Sequence, residues 1–210
     1  KDLSALDDIA DVYKSGQKVN RAQLIAKNQS IEPQGVNCNI KAIGGKHVVS
    51  VIDDFSGTSK WQAISDKMMG GQSTANVEQS SNILKINTSL GKPTAFGAWA
   101  GAHLLFNDVV DASQYQGVKI KYRGSNIAFG LSVYHSEVSD WDHFSTSITA
   151  SQQWQTLEIP FEKLKQFGYG SQLTWSAKSL SGLSFVWRTT PGQVLSENSN
   201  RIELAELTYF

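Results

Sequence analysis

From His47 onward the side chains alternate with a period of two. Val118, Ile120 and Tyr122 are separated by Lys119 and Lys121, and Ile127, Phe129, Leu131 and Val133 by Ala128, Gly130 and Ser132. Leu157 and Ile159 alternate with Thr156 and Glu158, and Leu183 and Phe185 with Ser184 and Val186. Alternation of this kind places successive side chains on opposite faces of a strand. Ile202, Leu204 and Leu207 predict a last strand, with an irregularity at Ala205-Glu206. Clusters of Gly, Asn, Ser and Asp punctuate these runs, so the expected fold is all-β, a sandwich of jelly-roll type. One short helix is predicted from Pro160 to about Phe167, with Pro early, where its missing N–H matters least.

The N-terminal part has a different texture. Residues 1–30 carry Leu3, Leu6, Ile9 and Ala10 at helix-like spacing, then Val12 to Val19 as two short strands around Ser15-Gly16. Such a piece needs a sheet to join. Residues 31–46, with Pro33 and several Asn and Gly, read as a linker. The expected organisation is therefore 1–30 as an appendage, 31–46 as a linker and 47–210 as the folded module. The chain opens on Lys1-Asp2-Leu3 without an initiator Met, which is read as the start of a fragment of something longer.

Composition narrows the functional classes. Nineteen basic residues balance nineteen acidic ones, so no polyanionic partner is implied and nucleic-acid binding is disfavoured. Cys38 is the only cysteine, which excludes an intrachain disulfide and leaves the compartment open. No apolar run approaches the length of a membrane span. No Gly-x-Ser-x-Gly elbow occurs, and Gly44-Gly45-Lys46 lacks the rest of a phosphate-binding loop. No catalytic residues are expected.

Strand parity also sorts candidate binding residues. With Phe96 and Leu104 on the core side, Trp99 and His103 point the other way, beside Gly97 and Gly101. The non-core face of the Ile127–Val133 run is Ala128, Gly130, Ser132 and Tyr134. His143, Ser145 and Ser147 lie opposite Phe144 and Ile148, and Arg188 lies opposite Phe185. One surface of small residues thus carries Trp99, His103, Tyr134, His143 and Arg188. Aromatic rings offer flat faces to pyranose C–H groups, and neighbouring polar groups bond hydroxyls, so this pattern suits a sugar groove. The plainer alternative keeps Trp99 under a loop, His103 merely satisfied, and the face a packing or protein-contact surface. Tyr169 and Trp187 are weaker candidates, Trp187 belonging by parity more to the core, and Trp61 and Trp154 are expected to be structural.

Two other stretches invite a chemical reading. In Asp66-Lys67-Met68-Met69-Gly70-Gly71 the structural reading is favoured: Gly-Gly sets a tight turn, Met fills core gaps, and Asp66 ties the loop backbone. His135 to His143 holds the densest set of metal-ligand types, Glu137, Asp140 and Asp142 included. It has no His-x-His or His-x-x-x-His spacing, so an acidic loop is expected instead of a transition-metal site.

Three stretches resemble known families. Asp53-Asp54-Phe55-Ser56-Gly57, Trp61, and Asp66-Lys67-Met68-Met69-Gly70-Gly71-Gln72-Ser73 resemble the hallmark of the complex I intermediate-associated protein domain. This implies a galactose-binding-like jelly roll; mitochondrial members help assemble respiratory complex I, and many bacterial members have no settled role. Trp154-Gln155-Thr156-Leu157-Glu158-Ile159-Pro160-Phe161 is similar to a signature of sugar-binding jelly rolls, notably family-eleven carbohydrate-binding modules. Related jelly rolls often hold a structural calcium, and by analogy of position Asp53, Asp54 and Glu206 are its candidate ligands. Asp2-Leu3-Ser4-Ala5-Leu6-Asp7-Asp8-Ile9 with Val12 to Val19 resembles the closing residues of metal-dependent amidohydrolases.

These resemblances imply a bacterial, non-catalytic module that needs no cofactor and is attached to an amidohydrolase whose catalytic residues lie upstream. Its expected partners are a glycan or polysaccharide, a protein, or its own amidohydrolase domain, in a periplasmic or extracellular setting. The alternative is a protein-interaction or assembly domain of the complex I intermediate-associated type.

Overall fold

The computed structural model describes residues 40–43, 46–49, 51–124, 127–190, 193 and 199–210. The chain divides into two compact units, Lys1–Val36 and Asn37–Phe210, and every described residue belongs to the second. The expected amidohydrolase-like tail, most of the linker and Cys38 lie outside the described residues. Ile40–Ile43 (β1) and Lys46–Val49 (β2) pair as an antiparallel hairpin, where the sequence reading placed the end of the linker.

The remaining strands form two antiparallel sheets. The six-stranded sheet comprises β3 (Val51–Asp53), β5 (Thr74–Ser80), β6 (Ile83–Ser89), β8 (Gly117–Gly124), β11 (Ser151–Pro160) and β13 (Ser199–Tyr209). Its order is β11-β8-β13-β6-β5, with β3 also pairing β13. The five-stranded sheet comprises β4 (Gln62–Ser65), β7 (Trp99–Val110), β9 (Phe129–His135), β10 (Phe144–Ile148) and β12 (Leu180–Arg188), in the order β10-β9-β12-β7-β4. Hydrogen-bonded neighbours are mostly non-consecutive in sequence, as a jelly roll requires.

The alternation expected from the sequence is what joins the sheets. Val118, Ile120 and Tyr122 of β8 are buried, as are Leu84 and Ile86 of β6 and Ile202, Leu204 and Leu207 of β13. They belong to one core with Phe129, Leu131, Val133, Leu183, Phe185 and Trp187 of the other sheet. Tyr122 meets Phe129 edge to face at 5.5 Å, across the interior. Each such buried side chain contributes about 1.5–3 kcal/mol. The irregularity expected at Ala205-Glu206 is a register shift between Leu204 and Glu206.

Before β4, the chain is fixed by a buried carboxylate. Asp53 Oδ1 accepts from Phe55 N–H (2.8 Å) and the Ser59 hydroxyl (2.5 Å), and Oδ2 from Trp61 Nε1 (2.5 Å). Trp61 stacks on Phe185 at 5.9 Å and is structural, as expected, and Phe55 is buried in the same core.

Three expectations need correction. The helix from Pro160 to Phe167 is only a 3-10 turn, Phe161–Lys163. Leu164 is buried in extended conformation and Lys165 exchanges backbone hydrogen bonds with Ser145, so sheet pairing overrides the local preference. Phe96 is not on the core side, because it sits in the turn closed by Thr94 and Gly97, before β7 begins, and is exposed. Met68 and Met69 fill no core gap: both are exposed on the short 3-10 helix Asp66–Met69. No helix among the described residues is long and apolar enough to cross a membrane.

Candidate functional site

The outer face of the five-stranded sheet is ordered by register, because residues directly opposed in antiparallel strands share a face. Gln62, His103, Ser184, Ser132 and Ser145 form one row across all five strands. Ile64, Gly101, Val186, Gly130 and Ser147 form the next. Arg188 faces Trp99 on one side of these rows. Tyr134, opposite Gly182, lies on the other. Trp99, His103, Tyr134 and Arg188 therefore share one face, as expected, and His143, just ahead of β10, joins them by stacking on Tyr134.

Ring contacts run along this face. His103 meets Tyr134 at 6.2 Å, Tyr134 stacks on His143 at 4.2 Å, and Trp141 meets His143 edge-on at 6.2 Å. His103 Nε2 lies 3.2 Å from Gln62 Oε1. Burial pushes the Tyr134 phenol up, against the opposing effects of its hydrogen bond with Ser184 and the Arg188 charge. Tyr134 and His143 are only 6% and 8% exposed. They are more enclosed than an open groove implies, and they form floor more than contact surface.

Of the exposed part only Tyr169 was expected from the sequence, as a weaker candidate. Trp141, Phe167 and Tyr169 are 64%, 62% and 60% exposed. They are held by the loop expected to be merely acidic. The Asp142 carboxylate, fully buried, accepts from the N–H groups of Phe167 (2.8 Å), Gly168 (2.8 Å) and Gly170 (3.1 Å), and from Gln172 Nε2 (3.4 Å). Asp140 accepts from Ser171 N–H at 2.6 Å and Asp142 N–H at 3.2 Å, which hold its carboxyl below the usual range. A Cβ at Gly170 would lie 2.5 Å from the Asp140 carboxylate and would displace it from its bond to Ser171.

Tyr169 donates its hydroxyl to the Trp141 carbonyl at 2.8 Å and stacks on Phe167 at 6.3 Å. The Arg188 guanidinium lies 5.5 Å from the Phe167 ring centroid and hydrogen-bonds Tyr169. Trp141 itself sits at φ 66°, a left-handed conformation that is strained for a bulky aromatic residue. Strain of this kind persists only where the surroundings impose it. Two signals for the platform were in the sequence: Phe167-Gly168-Tyr169-Gly170 places rings between glycines outside any strand, and Asp140-Trp141-Asp142 places one between two loop-forming carboxylates.

The expected calcium ligands are not assembled. Asp53 is occupied by the three donors described above, Asp54 Oδ1 accepts from Ser56 N–H, and Glu206 pairs with Lys119 at 3.2 Å. No group of three or more metal-ligating side chains occurs among the described residues. Of the structural tryptophans, Trp61 and Trp187 are buried in the core. Trp154, half-buried on β11, lies instead under the Arg123 guanidinium, 4.7 Å from its ring centroid.

Burial holds the His143 imidazole down to about 4, with the Asp140 and Asp142 charges opposing that shift and His135 adding to it. An unfolded chain takes up this proton below about 6.5, the folded one only below about 4. Stability is therefore expected to fall as pH drops from about 6.5 to about 4, by about 1–3 kcal/mol, with no further loss from this group below that. Urea unfolding at pH 7 and pH 4.5 checks it: His143→Phe should remove most of the difference, and an undiminished difference would contradict the assignment.

Solved structures with the same fold include the family 11 carbohydrate-binding module from Clostridium thermocellum in complex with a beta-1,3-1,4-mixed-linked tetrasaccharide. It is 16% identical with TM-score 0.58, over 77% of this chain and 94% of that one. The family 11 module of the cellulosomal cellulase Lic26A-Cel5E of Clostridium thermocellum is 17% identical with TM-score 0.56, over 81% and 96%. An agarase, AgWH50C, is 10% identical with TM-score 0.50, over 76% of this chain and 24% of its own. No curated protein matches the chain. The model of one family, complex I intermediate-associated protein 30 (CIA30), matches residues 52–189, and the chain belongs to that family.

Proposed function

We propose that the outer face of the five-stranded sheet binds a polysaccharide chain without acting on it chemically. The observation that carries this reading is the platform of Trp141, Phe167 and Tyr169, exposed yet fixed by a buried carboxylate, beside a floor of Arg188, His103 and small residues. Exposed rings locked in place are pre-organised for stacking on sugar C–H faces, while Arg188 and Gln62 supply directional bonds to hydroxyls. The neighbour with a bound mixed-linked tetrasaccharide supports a glucan as the first ligand to try. The periplasmic or extracellular setting and the attachment to an amidohydrolase belong to this proposal, since glycan-directed modules tether enzymes to substrates outside the cytoplasm.

Affinity gels containing mixed-linked β-glucan, xyloglucan or agarose test it on the full chain. Retardation is expected with a dissociation constant of roughly micromolar to millimolar, and Trp141→Ala or Tyr169→Ala should weaken it about tenfold. Absence of retardation by every polysaccharide, or retardation that both variants keep, would sink the reading. A protein-assembly role is favoured by a separate observation: Met68, Met69 and Phe96 are exposed apolar side chains flanking the start of β7. It predicts partner capture that glycan does not compete away and that Met68→Ser with Met69→Ser removes.

A further inference from the structure

A second groove, of about 880 Å³, opens on the other sheet, with Asn76, Asn87, Ser89, Arg123, Arg201 and Glu203 among its walls. It draws on β5, β6, β8 and β13 and shares no residue with the platform. Register explains its chemistry. Arg123, Glu203, Lys85 and Glu78 oppose one another in successive strands, and Arg201, Asn87 and Asn76 form the adjoining row. Glu203 is buried, and burial alone would raise its carboxyl, but Arg123 and Arg201 outweigh that and hold it ionised.

The two arginines are built in place. Arg123 donates to Glu203 Oε2 from Nε at 2.7 Å and from Nη2 at 2.6 Å, with its guanidinium against Trp154. Arg201 Nη2 donates to Glu203 Oε1. One carboxylate thus orients two guanidiniums, which leaves the trio with a net positive charge. These contacts use two N–H groups of Arg123 and one of Arg201, of the five that each guanidinium carries. Both side chains remain substantially exposed, at 44% and 54%.

The surroundings select among anions. Asn76, Asn87, Thr74 and Ser89 are neutral hydrogen-bonding groups, which match hydroxyls, while a guanidinium fork matches a carboxylate or sulfate. A single net charge is too little for a nucleic-acid backbone, which is held by many cations. The volume lies within the range of small-ligand sites. We infer that this groove is a second binding site, for an acidic saccharide whose carboxylate or sulfate seats on Arg123 and Arg201 and whose hydroxyls meet Asn76 and Asn87. It does not depend on the platform or its ligand.

Calorimetric titration of the full chain with oligogalacturonate, with a sulfated galactan oligosaccharide and with a neutral mixed-linked glucan oligosaccharide tests it. At least one acidic oligosaccharide is expected to bind, more weakly as salt rises. Arg201→Gln should lower that affinity at least tenfold and Asn87→Ala several-fold, while Trp141→Ala leaves it unchanged. Asn87→Ala guards against misfolding, because it leaves the Arg–Glu trio intact. Binding of only the carboxylate or only the sulfate form supports the site and identifies the anion. Binding of neither, or binding indifferent to both groove variants, would overturn it whatever the neutral glucan does.

Discussion

Replacing Asp142 with alanine is expected to lower stability by about 3–5 kcal/mol and to abolish retention on polysaccharide gels. The carboxylate is fully buried and receives three backbone N–H groups and the Gln172 amide. Hydrogen bonds to a charged group are each worth about 1.5–3 kcal/mol, and donors left without a partner add a desolvation cost. Water entering the vacated space would recover part of the loss, which sets the total well below the simple sum. The loop carrying Phe167 and Tyr169 would lose its template, and with it the hydroxyl bond from Tyr169 to the Trp141 carbonyl. Asp142→Asn should retain one acceptor but set an NH₂ group against the loop N–H groups, so it should fall between. Denaturant unfolding and affinity gels read both effects, and an alanine variant within 1 kcal/mol of the parent that binds normally would contradict the account.

Asp66→Ala is expected to cost a comparable amount, about 3–5 kcal/mol, with a smaller effect on binding. Asp66 is buried and accepts from Ser73 N–H (2.9 Å), the Ser73 hydroxyl (2.7 Å) and Trp99 N–H (3.2 Å). Ser73 in turn accepts from Gly91 N–H at 3.0 Å, so one carboxylate ties together the approaches to β5 and β7. Gly71 is glycine because a Cβ would strike that carboxylate. Removing the charge leaves buried donors unpaired, among the few mechanisms that produce losses this large. Thermal unfolding checks it. Met68→Ser serves as the contrast and should change stability by less than about 0.5 kcal/mol, as an exposed substitution does.

The contrast within Asp66–Gly71 shows what the sequence could disclose. Asp66 as backbone tie and Gly-Gly as tight turn follow from short-range chemistry, and both were legible. The exposure of Met68 and Met69 was not, because it depends on which way a four-residue 3-10 helix faces. The same division holds elsewhere. Strand parity placed Trp99, His103, Tyr134, His143 and Arg188 on one face because alternation is local and strict. It could not show that Tyr134 and His143 would be enclosed, nor that residues 25 to 28 positions apart would meet, as Asp142 does with Phe167, Gly168 and Gly170. The helix predicted after Pro160 failed for a related reason, since Lys165 is claimed by a strand far from it in sequence. Pairing partners, and loops that brace one another, are settled by tertiary structure.

The placement of β13 between β6 and β8, in the middle of its sheet, has a consequence for biosynthesis. While Ser199–Tyr209 is still inside the ribosomal tunnel, β5 and β6 have no bridge to β8 and β11, and β3 has no partner. Hydrophobic faces that began to emerge at Val51 stay without closure until nearly the whole domain has been made. Cells producing this domain must therefore keep it from aggregating throughout translation, and a cut ahead of β13 splits one sheet into two pieces instead of trimming an edge.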